Sequence, residues 1–425
     1  MKNIDVLCLE WPGNERDIYA VAPIIKSLRE CGYECVTGDI FNYAIFFIKY
    51  KPKILLISNF QGATINSDVC KLAHIMGIKV YSLIAEGNFR PGFEKQFLWG
   101  HNKSEYVYFD KLFLWSERTK KMSLTINPEL KDKIVVSGNV AADRYKLLKF
   151  ANKKDFLKEQ FDLAVDHKVV GIAGWGFDRL HETKFYRDNE QHFLNTYGYE
   201  QILRFRSDFK KLKKIYHDLI SENPKYIFIL RLHPGLTNLE YNEFLGLEHF
   251  ENVYISQPRK CKYSISDLIS VSDIWSGYET TSCLEAWLLE KHTFLVNPSG
   301  GDFIRDNTAD GSIKFREVQQ VENYITLCEN VEFKLDDVKR KIINDVVGGS
   351  DGCNHNIPVK YISESLMETS NVNYNRFGVV KKLGFKPMIH LFRNSETYTN
   401  IRKLRKSNDK QIEDIISKFY VEDYE

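Results

Sequence analysis

The sequence lacks the features that mark several large classes of protein. No window approaches the run of about 18 uninterrupted apolar residues that a membrane-spanning helix needs. The eight cysteines are scattered and form no paired Cys-x-x-Cys motifs, which argues against a zinc knot and favours small buried thiols in a reducing compartment. The N-terminal apolar run is too short for a signal peptide. The cytoplasm is therefore the expected location.

Excess charge and metal motifs are scarce as well. The formal net charge is only +2, which argues against a broadly basic nucleic-acid binder, and no nucleic-acid partner is expected. The chain has no low-complexity tract and no obvious Asp-x-Asp motif, so no metal site and no bound cofactor are predicted. Its 425 residues are too many for one ordinary core, which predicts two domains.

What the chain does contain is a regular alternation of apolar strand-length runs with helical patterns. Strands are predicted at residues 4–9, 33–40, 54–59, 79–85, 111–115 and 133–137, and the alternation begins again at 169–173. This spacing implies right-handed crossovers and parallel sheets. The predicted fold class is α/β, with two Rossmann-like parallel-sheet domains facing a cleft.

The predicted domains are residues 1–160, residues 165–367 and a basic helical tail, 370–425. The stretch 376–410 contains ten Lys or Arg residues and only two acids, interleaved with apolar and aromatic residues. Such a segment can lie on an anionic membrane surface, or it can be a solvated tail packed on the protein. The inner face of the membrane is thus an alternative location.

The clearest polar motif of the second domain follows a predicted strand at 226–231. Arg231-Leu-His233-Pro-Gly places His233 at the strand's carboxyl end, because proline and glycine do not continue a strand comfortably. His233 could bond a phosphate oxygen and, if protonated, stabilise a leaving nucleotide, with Arg231 beside it. The alternative is a satisfied structural histidine.

A second motif contains several hydroxyls before a predicted helix that starts near residue 283. Ser276, Thr280, Thr281 and Ser282 could contact a phosphate or ribose at the helix N-terminus, or simply cap the helix. One turn further on, Glu285 could accept hydrogen bonds from both ribose hydroxyls. Its alternative role is that of a capping-box acid.

Two further strand ends carry candidate residues. Gly174 and Gly176 follow the first strand of the second domain, where small residues let backbone N–H groups approach a phosphate; a mere tight turn is the alternative. In the first domain Glu86 ends an apolar strand and precedes a glycine. Its carboxylate could deprotonate an acceptor hydroxyl or attack an anomeric carbon, or it could pair with Arg90.

These motifs together resemble the two-domain, GT-B-type glycosyltransferases of bacterial surface carbohydrate synthesis. The resemblance is closest to the Kdo transferases and to the sialyl- and polysialyltransferases, and it covers roughly residues 1–367. It implies that Glu86 is the catalytic carboxylate, that His233 binds the donor phosphate, and that Thr280, Thr281 and Ser282 add phosphate contacts. In those families the acidic motif often has two acids before the glycine, whereas Ala85 precedes Glu86 here.

The function expected from this resemblance is transfer of a sugar from a nucleotide donor to a glycan or glycolipid acceptor. A CMP-activated sugar such as Kdo or a sialic-type acid is favoured, although the Glu285-Ala286 pair is also typical of UDP- and GDP-sugar enzymes. The alternatives are a UDP-N-acetylhexosamine 2-epimerase, a CDP-glycerol-type polyol-phosphate transferase, and a degenerate transferase acting as a scaffold.

Overall fold

The computed structural model describes residues 2–11, 15–60, 64–89, 108–164, 167–258, 260–303, 309–368 and 408–419. Within these ranges the chain divides into two compact units. The first unit takes the described residues of Met1–Leu148 and of Ile343–Glu425, and the second is Lys149–Ile342. Each unit holds a six-stranded sheet, which confirms the predicted two-domain α/β class.

Both sheets are parallel at every pairing of the described strands. The orders are β2-β1-β3-β4-β5-β6 in the first unit and β12-β11-β10-β7-β8-β9 in the second. Central strands read as apolar runs because helices cover both faces of such a sheet. The strands are β1 (Lys2–Glu10), β2 (Cys35–Asp39), β3 (Tyr50–Ile57), β4 (Lys79–Ser82), β5 (Lys111–Leu114), β6 (Ile134–Val136), β7 (Val169–Ala173), β8 (Ile227–Arg231), β9 (Val253–Ser256), β10 (Ile274–Gly277), β11 (His292–Val296) and β12 (Ile313–Phe315).

The helices lie between the strands and after the last of them. In chain order they are α1 (Glu15–Glu30), α2 (Tyr43–Lys49), α3 (Thr64–Ile75), α4 (Glu117–Ile126), α5 (Arg144–Leu147), α6 (Lys153–Phe161), α7 (Lys184–Asp188), α8 (Glu190–Tyr197), α9 (Tyr199–Glu222), α10 (Ile265–Val271), α11 (Ser282–Leu288), α12 (Val318–Cys328), α13 (Asp337–Val346), α14 (Asn356–Glu368) and α15 (Asn408–Lys418). None of the described helices is long and apolar enough to cross a bilayer.

The first boundary lies earlier than the predicted residue 160, because helix α6 belongs to the second unit. Phe156 of α6 is fully buried there and packs edge-on against Tyr254 and Tyr263, with ring centroids 5.3 and 5.2 Å away. The predicted bounds leave the linker at residues 161–164. The change of unit comes instead between Leu148 and Lys149.

The second boundary also differs, because the chain returns to the first unit at Ile343 rather than staying in the second to residue 367. The returning segment is fixed by Asp143, which is fully buried. Its carboxylate accepts hydrogen bonds from Asn354 N and Nδ2 at 3.1 and 2.8 Å, and from His355 N at 2.8 Å. Helix α14 then buries Ile362 and Leu366 in the core that α1 lines.

Asn354 also explains a glycine at the end of β6. Gly138 has a left-handed φ of +85°, and a Cβ at this position would lie 1.9 Å from Asn354 Oδ1. Only glycine therefore lets the returning segment approach the carboxyl end of β6 this closely. The predicted basic segment 376–410 lies almost entirely outside the described residues, which resume with α15.

Candidate functional site

The carboxyl ends of β7, β8 and β10 form the frame of the candidate site. Ala173, the last residue of β7, pairs with Arg231 of β8 on one side and with Gly277 of β10 on the other. From β7 the chain adds β8 and β9 on one side of the sheet, and it then returns from β9 to place β10 on the other side of β7. In open parallel sheets ligands bind in the crevice at such a switch point. The predicted motifs therefore lie where a ligand is expected.

His233 leaves the end of β8 with a defined orientation. Its Nδ1 accepts a hydrogen bond from the backbone N–H of Gly235 at 3.1 Å. An imidazole nitrogen that accepts is unprotonated, so Nε2 carries the proton of a neutral ring. His233 is half-buried and lies close to the loop after β7, where a Cβ on Gly176 would be 3.2 Å from Nδ1. The geometry favours a neutral donor over the protonated form considered from the sequence.

The loop after β7 is held by a buried acid that the sequence motifs did not single out. Gly174 N donates to Arg231 O at 2.8 Å, and Trp175 N donates to Glu243 Oε1 at 2.6 Å. Glu243 is only 2% exposed, and burial raises its pKa to about 8 although the Trp175 hydrogen bond opposes that shift. A Cβ on Gly174 would lie 3.0–3.3 Å from Phe244, Arg231 O and Glu243 Oε1. This glycine therefore serves close packing as well as backbone access.

The hydroxyl motif after β10 divides into buried and accessible members. Ser276 and Ser282 are 0% and 4% exposed, and Ser282 Oγ accepts from Trp275 Nε1 at 2.7 Å. Thr280 Oγ1 lies 2.7 Å from Ser282 Oγ and accepts from Ser282 N at 3.1 Å, which closes a turn directly before the helix. Thr281 is the N-cap residue of that helix, and its side chain makes no capping hydrogen bond. Thr280 and Thr281 are half-buried. They are the members of the motif whose side chains reach the surface.

Two other predicted residues have different surroundings. Glu285 is half-buried in the first turn of α11, which begins at Ser282, one residue before the predicted start. Arg231 turns toward β9 instead of toward a strand-end ligand. Its Nη1 donates to Ser256 Oγ at 2.6 Å and to Cys261 Sγ at 3.0 Å. Its observed role is to tie β8 to β9 and to the segment that follows β9.

Glu86 lies in the first unit, four residues after β4 ends, and is half-buried. The residues after it are fixed by α4: Thr119 Oγ1 donates to Gly87 O at 3.2 Å, and Arg118 Nη2 donates to Asn88 Oδ1 at 3.1 Å. A Cβ on Gly87 would lie 2.4–2.6 Å from the Trp115 indole. Glu86 is therefore followed by glycine for a packing reason. The alternative partner Arg90 lies outside the described residues.

No protein-family model matches the chain, and no curated protein does. Solved structures do match its architecture. A putative UDP-N-acetylglucosamine 2-epimerase from Listeria monocytogenes has a TM-score of 0.57 and 13% identity, over 87% of this chain and 98% of that one. The UDP-GlcNAc 2-epimerase from Methanocaldococcus jannaschii has a TM-score of 0.55 and 15% identity, over 86% of this chain and 100% of that one. A wall teichoic acid polymerase, TagF, has a TM-score of 0.54 and 12% identity, over 86% of this chain and 90% of that one. The chain has the GT-B fold.

Identities of 12–15% with these structures establish the GT-B fold and nothing finer. None of these three proteins is a Kdo or sialyl transferase, so the closer resemblance stays a prediction. The GT-B architecture nevertheless explains why the predicted residues fall into two groups. Those from Gly174 to Glu285 share the carboxyl edge of the second sheet, and Glu86 follows a strand of the first.

The second unit also contains polar residues beside these motifs that the sequence analysis did not single out. Asp178 is 2% exposed, and its Oδ2 accepts from Thr237 N, Thr237 Oγ1 and Asn238 N at 2.8, 2.7 and 3.2 Å. It thereby joins the loop after β7 to the loop after β8. The neighbouring Arg179 is exposed and lies against Gly235. Their only signal in the sequence was their place directly after the Gly174-Trp-Gly176 turn.

Proposed function

We propose that this chain binds a nucleotide-activated donor at the carboxyl edge of its second sheet. The observation that carries the proposal is the hydrogen bond that His233 Nδ1 accepts from Gly235 N at the switch point. Because Nδ1 accepts from Gly235 N–H, Nε2 bears the proton and is suited to donate to a phosphate oxygen. The half-buried Thr280 and Thr281 and the backbone of the loop after β7 would complete the anion site.

The proposed reaction is transfer of the sugar to a bacterial surface glycan or glycolipid. Glu86 is the proposed catalytic carboxylate, and His233 the proposed stabiliser of the charge that develops on the leaving phosphate. As a base, Glu86 would deprotonate the acceptor hydroxyl and the sugar configuration would invert. As a nucleophile it would form a glycosyl intermediate and the configuration would be retained.

A CMP-activated acidic sugar, Kdo or a sialic-type acid, is the proposed donor. Its support is the resemblance carried by Glu86-Gly87, His233-Pro234 and Ser276 to Ser282. Glu285 would accept the ribose hydroxyls from the first turn of α11, and its half-buried position is compatible with that role. Arg231 and Ser276 are proposed to shape the site rather than to contact the donor directly. Arg231 donates a hydrogen bond to Ser256, and Ser276 is buried.

The 2-epimerase function is a second candidate of equal standing, because several matching structures are 2-epimerases. Two of these contain UDP-GlcNAc, from Neisseria meningitidis and from Methanocaldococcus jannaschii, with TM-scores of 0.50 and 0.51. The match to the polymerase similarly supports a polyol-phosphate transferase as a third candidate function. Product identity separates the three: an epimerase isomerises a UDP-sugar without an acceptor, whereas a transferase consumes donor only when an acceptor is present.

The first experiment is a calorimetric and thermal-shift panel of CMP, CDP, UDP and GDP. We expect one nucleotide to bind, and His233→Ala to weaken it at least about ten-fold, the loss expected for one hydrogen bond to a charged group. Binding of CMP would support the acidic-sugar donor, whereas binding of UDP would support the epimerase function. Absence of all binding would contradict the proposal and favour the scaffold.

The Glu86→Gln variant tests the catalytic carboxylate. It should keep its nucleotide affinity and lose turnover. Full activity of this variant would show that Glu86 is not catalytic.

Metal and membrane dependence are separate parts of the proposal. We expect turnover to survive chelation, since histidine, hydroxyls and backbone N–H groups would neutralise phosphate without a metal. The basic segment 376–410 is proposed to contact anionic lipid at the inner membrane face. Vesicles with and without phosphatidylserine test this: co-sedimentation should require the anionic lipid and weaken with salt. Equal recovery with neutral vesicles would contradict it.

A further inference from the structure

Arg179 occupies an unusual position in the loop after β7. Its guanidinium lies against the backbone of Gly235, where a Cβ would be 1.8 Å from Nη2 and 2.9 Å from Cζ. The same Cβ would be 3.3 Å from Cε1 of His233. A Cβ on Gly176 would lie 3.5 Å from Arg179 Nε and 3.4 Å from that ring carbon. The two missing side chains therefore let the guanidinium and the imidazole lie side by side.

The positive charge of Arg179 has no acidic partner among the described residues. No carboxylate forms an ion pair with it there, and the acid next to it in sequence is engaged elsewhere. Asp178 uses Oδ2 to accept three hydrogen bonds from Thr237 and Asn238, beyond the Pro234-Gly235 turn. Asp178 thus joins the two loops that hold Arg179 and His233, and it forms no ion pair with the arginine.

An exposed arginine is ordinary on a protein surface, but this one lies beside the residue placed at the switch point. The guanidinium is a planar fork of donors that matches phosphate oxygens, and it stays charged at any working pH. His233 supplies one neutral N–H donor in the same place. A charged fork and a neutral donor on one strand-end surface form a two-part receptor for a phosphate group.

We propose that Arg179 binds a phosphate oxygen of the nucleotide, next to the oxygen that His233 contacts. This inference deepens the function proposed above and rests on it, since it assigns a charged ligand to the same donor site. The guanidinium contributes the positive charge that the neutral His233 lacks, and it stabilises the negative charge that remains on phosphate when the sugar leaves. Asp178 is a positioning residue for this arrangement.

Four full-length variants test the assignment against the wild type by calorimetry, and Arg179→Lys is the conservative one among them. Arg179→Gln removes the charge. Gly235→Ala adds the methyl group that displaces the guanidinium; Gly235 is not in the left-handed region, and the atom it meets is the far end of a flexible side chain, so the fold should tolerate it. Arg187→Gln is the matched control, an exposed arginine of the same unit whose Nη1 donates to Glu182 O.

We expect Arg179→Gln to weaken the nucleotide that binds best in the panel by about 10- to 100-fold, the range for a hydrogen bond to a charged group. Gly235→Ala should weaken it in the same direction, and Arg187→Gln should bind like the wild type. Arg179→Lys should fall between, because an ammonium keeps the charge without the fork. Affinity of Arg179→Gln equal to that of Arg187→Gln would overturn the assignment while leaving the proposed function intact.

Inorganic pyrophosphate separates failure of the phosphate receptor from failure of the donor proposal. If none of the four nucleotides binds but pyrophosphate binds and is lost in Arg179→Gln, the donor proposal fails and the anion site stands. If the wild type binds neither nucleotide nor pyrophosphate, both fail. Melting temperatures of the variants within about 2 °C of the wild type would show that lost affinity does not reflect unfolding, since a change of 1 kcal/mol moves a domain of this size by roughly that much.

Discussion

Glu243 is the residue whose ionisation has the clearest consequence for the candidate site. It is buried, its Oε1 receives the Trp175 N–H, and burial raises its pKa from 4.5 to about 8. A carboxyl whose pKa is raised by folding stabilises the native state fully below its unfolded pKa. That contribution is lost as the pH rises through the folded pKa. The loop after β7 should therefore be held most firmly below about pH 4.5 and less firmly as the pH rises towards 8.

The test is Glu243→Gln, which keeps an oxygen to accept from Trp175 and removes the titration. The unfolding free energy of the wild type should fall relative to the variant between about pH 4.5 and 8, by at most about 1.4 kcal/mol per pH unit. Urea unfolding at several pH values measures this difference. Glu251→Gln, at an exposed position, is the control. Parallel curves for wild type and Glu243→Gln would show that Glu243 does not titrate in this range.

Single residues were predictable only where the strand pattern fixed them. His233 could be placed because an apolar run followed by Pro-Gly identifies a strand end. Arg231, two residues earlier, could not be assigned, because its partners Ser256 and Cys261 come from elements far away in the chain. The burial of Ser276 likewise follows from packing, which residue type alone does not reveal. The place of Arg179 after the Gly174-Trp-Gly176 turn was not enough to single it out, because its position depends on glycines in two separate loops.

Elements were predictable where a hydrophobic period was strong. The predicted strand at 169–173 coincides with β7, and the predicted strand at 79–85 contains β4. Residues 180–198 contain α7 and α8, two short helices that no strong hydrophobic period predicts. These short helices pack through Tyr186 and Phe193, whose rings stack 5.9 Å apart. Such contacts between neighbouring short segments leave no long periodic pattern in the sequence.

Helix α15 provides a prediction at the scale of an element. Its buried side chains Ile412, Ile415 and Ile416 join the core lined by α1, and Glu413 receives two hydrogen bonds from Arg29 at 2.8 and 2.9 Å. Because a buried unpaired charge is costly, Ile415→Asp should release the helix. Hydrogen exchange over 408–418 should then rise at least about ten-fold.

Ser417→Asp is the matched control for α15, since it adds the same charge at an exposed position of the helix. It should leave exchange of the helix almost unchanged. Protection of 408–418 that stays the same in Ile415→Asp would mean that the isoleucines do not hold the helix in place. The pairing with Arg29 also lowers the pKa of Glu413, so this contact weakens as the pH falls through that lowered pKa.

At the scale of the whole molecule, the two units differ in how the chain builds them. The second is one continuous segment, Lys149–Ile342, and includes all of β7 to β12. The first needs residues from both ends of the chain, and the buried Asp143 joins them through Asn354 and His355. Periodicity could suggest that residues 337–367 are helical. It could not show which core their apolar faces enter, because both cores offer aliphatic surfaces.

This difference predicts that the segment Lys149–Ile342 folds by itself, whereas residues 1–148 do not. The continuous segment keeps its complete sheet and the site residues from Gly174 to Glu285, so it should unfold cooperatively and bind the nucleotide within about three-fold of the full chain, a difference below 1 kcal/mol. Residues 1–148 lose α14 and α15, exposing the α1 surface that Ile362, Leu366 and Ile412 cover. Circular dichroism and calorimetry on both fragments measure this.

Asp143→Ala in the full chain tests the same idea without truncation. It leaves the N–H groups of Asn354 and His355 without their buried acceptor, which should cost the first unit about 2–4 kcal/mol. The melting transition of the second unit, monitored through its nucleotide-induced shift, should not move. A fall of both transitions by the same amount would mean that the units unfold as one, and the continuous segment would then not be expected to bind nucleotide by itself.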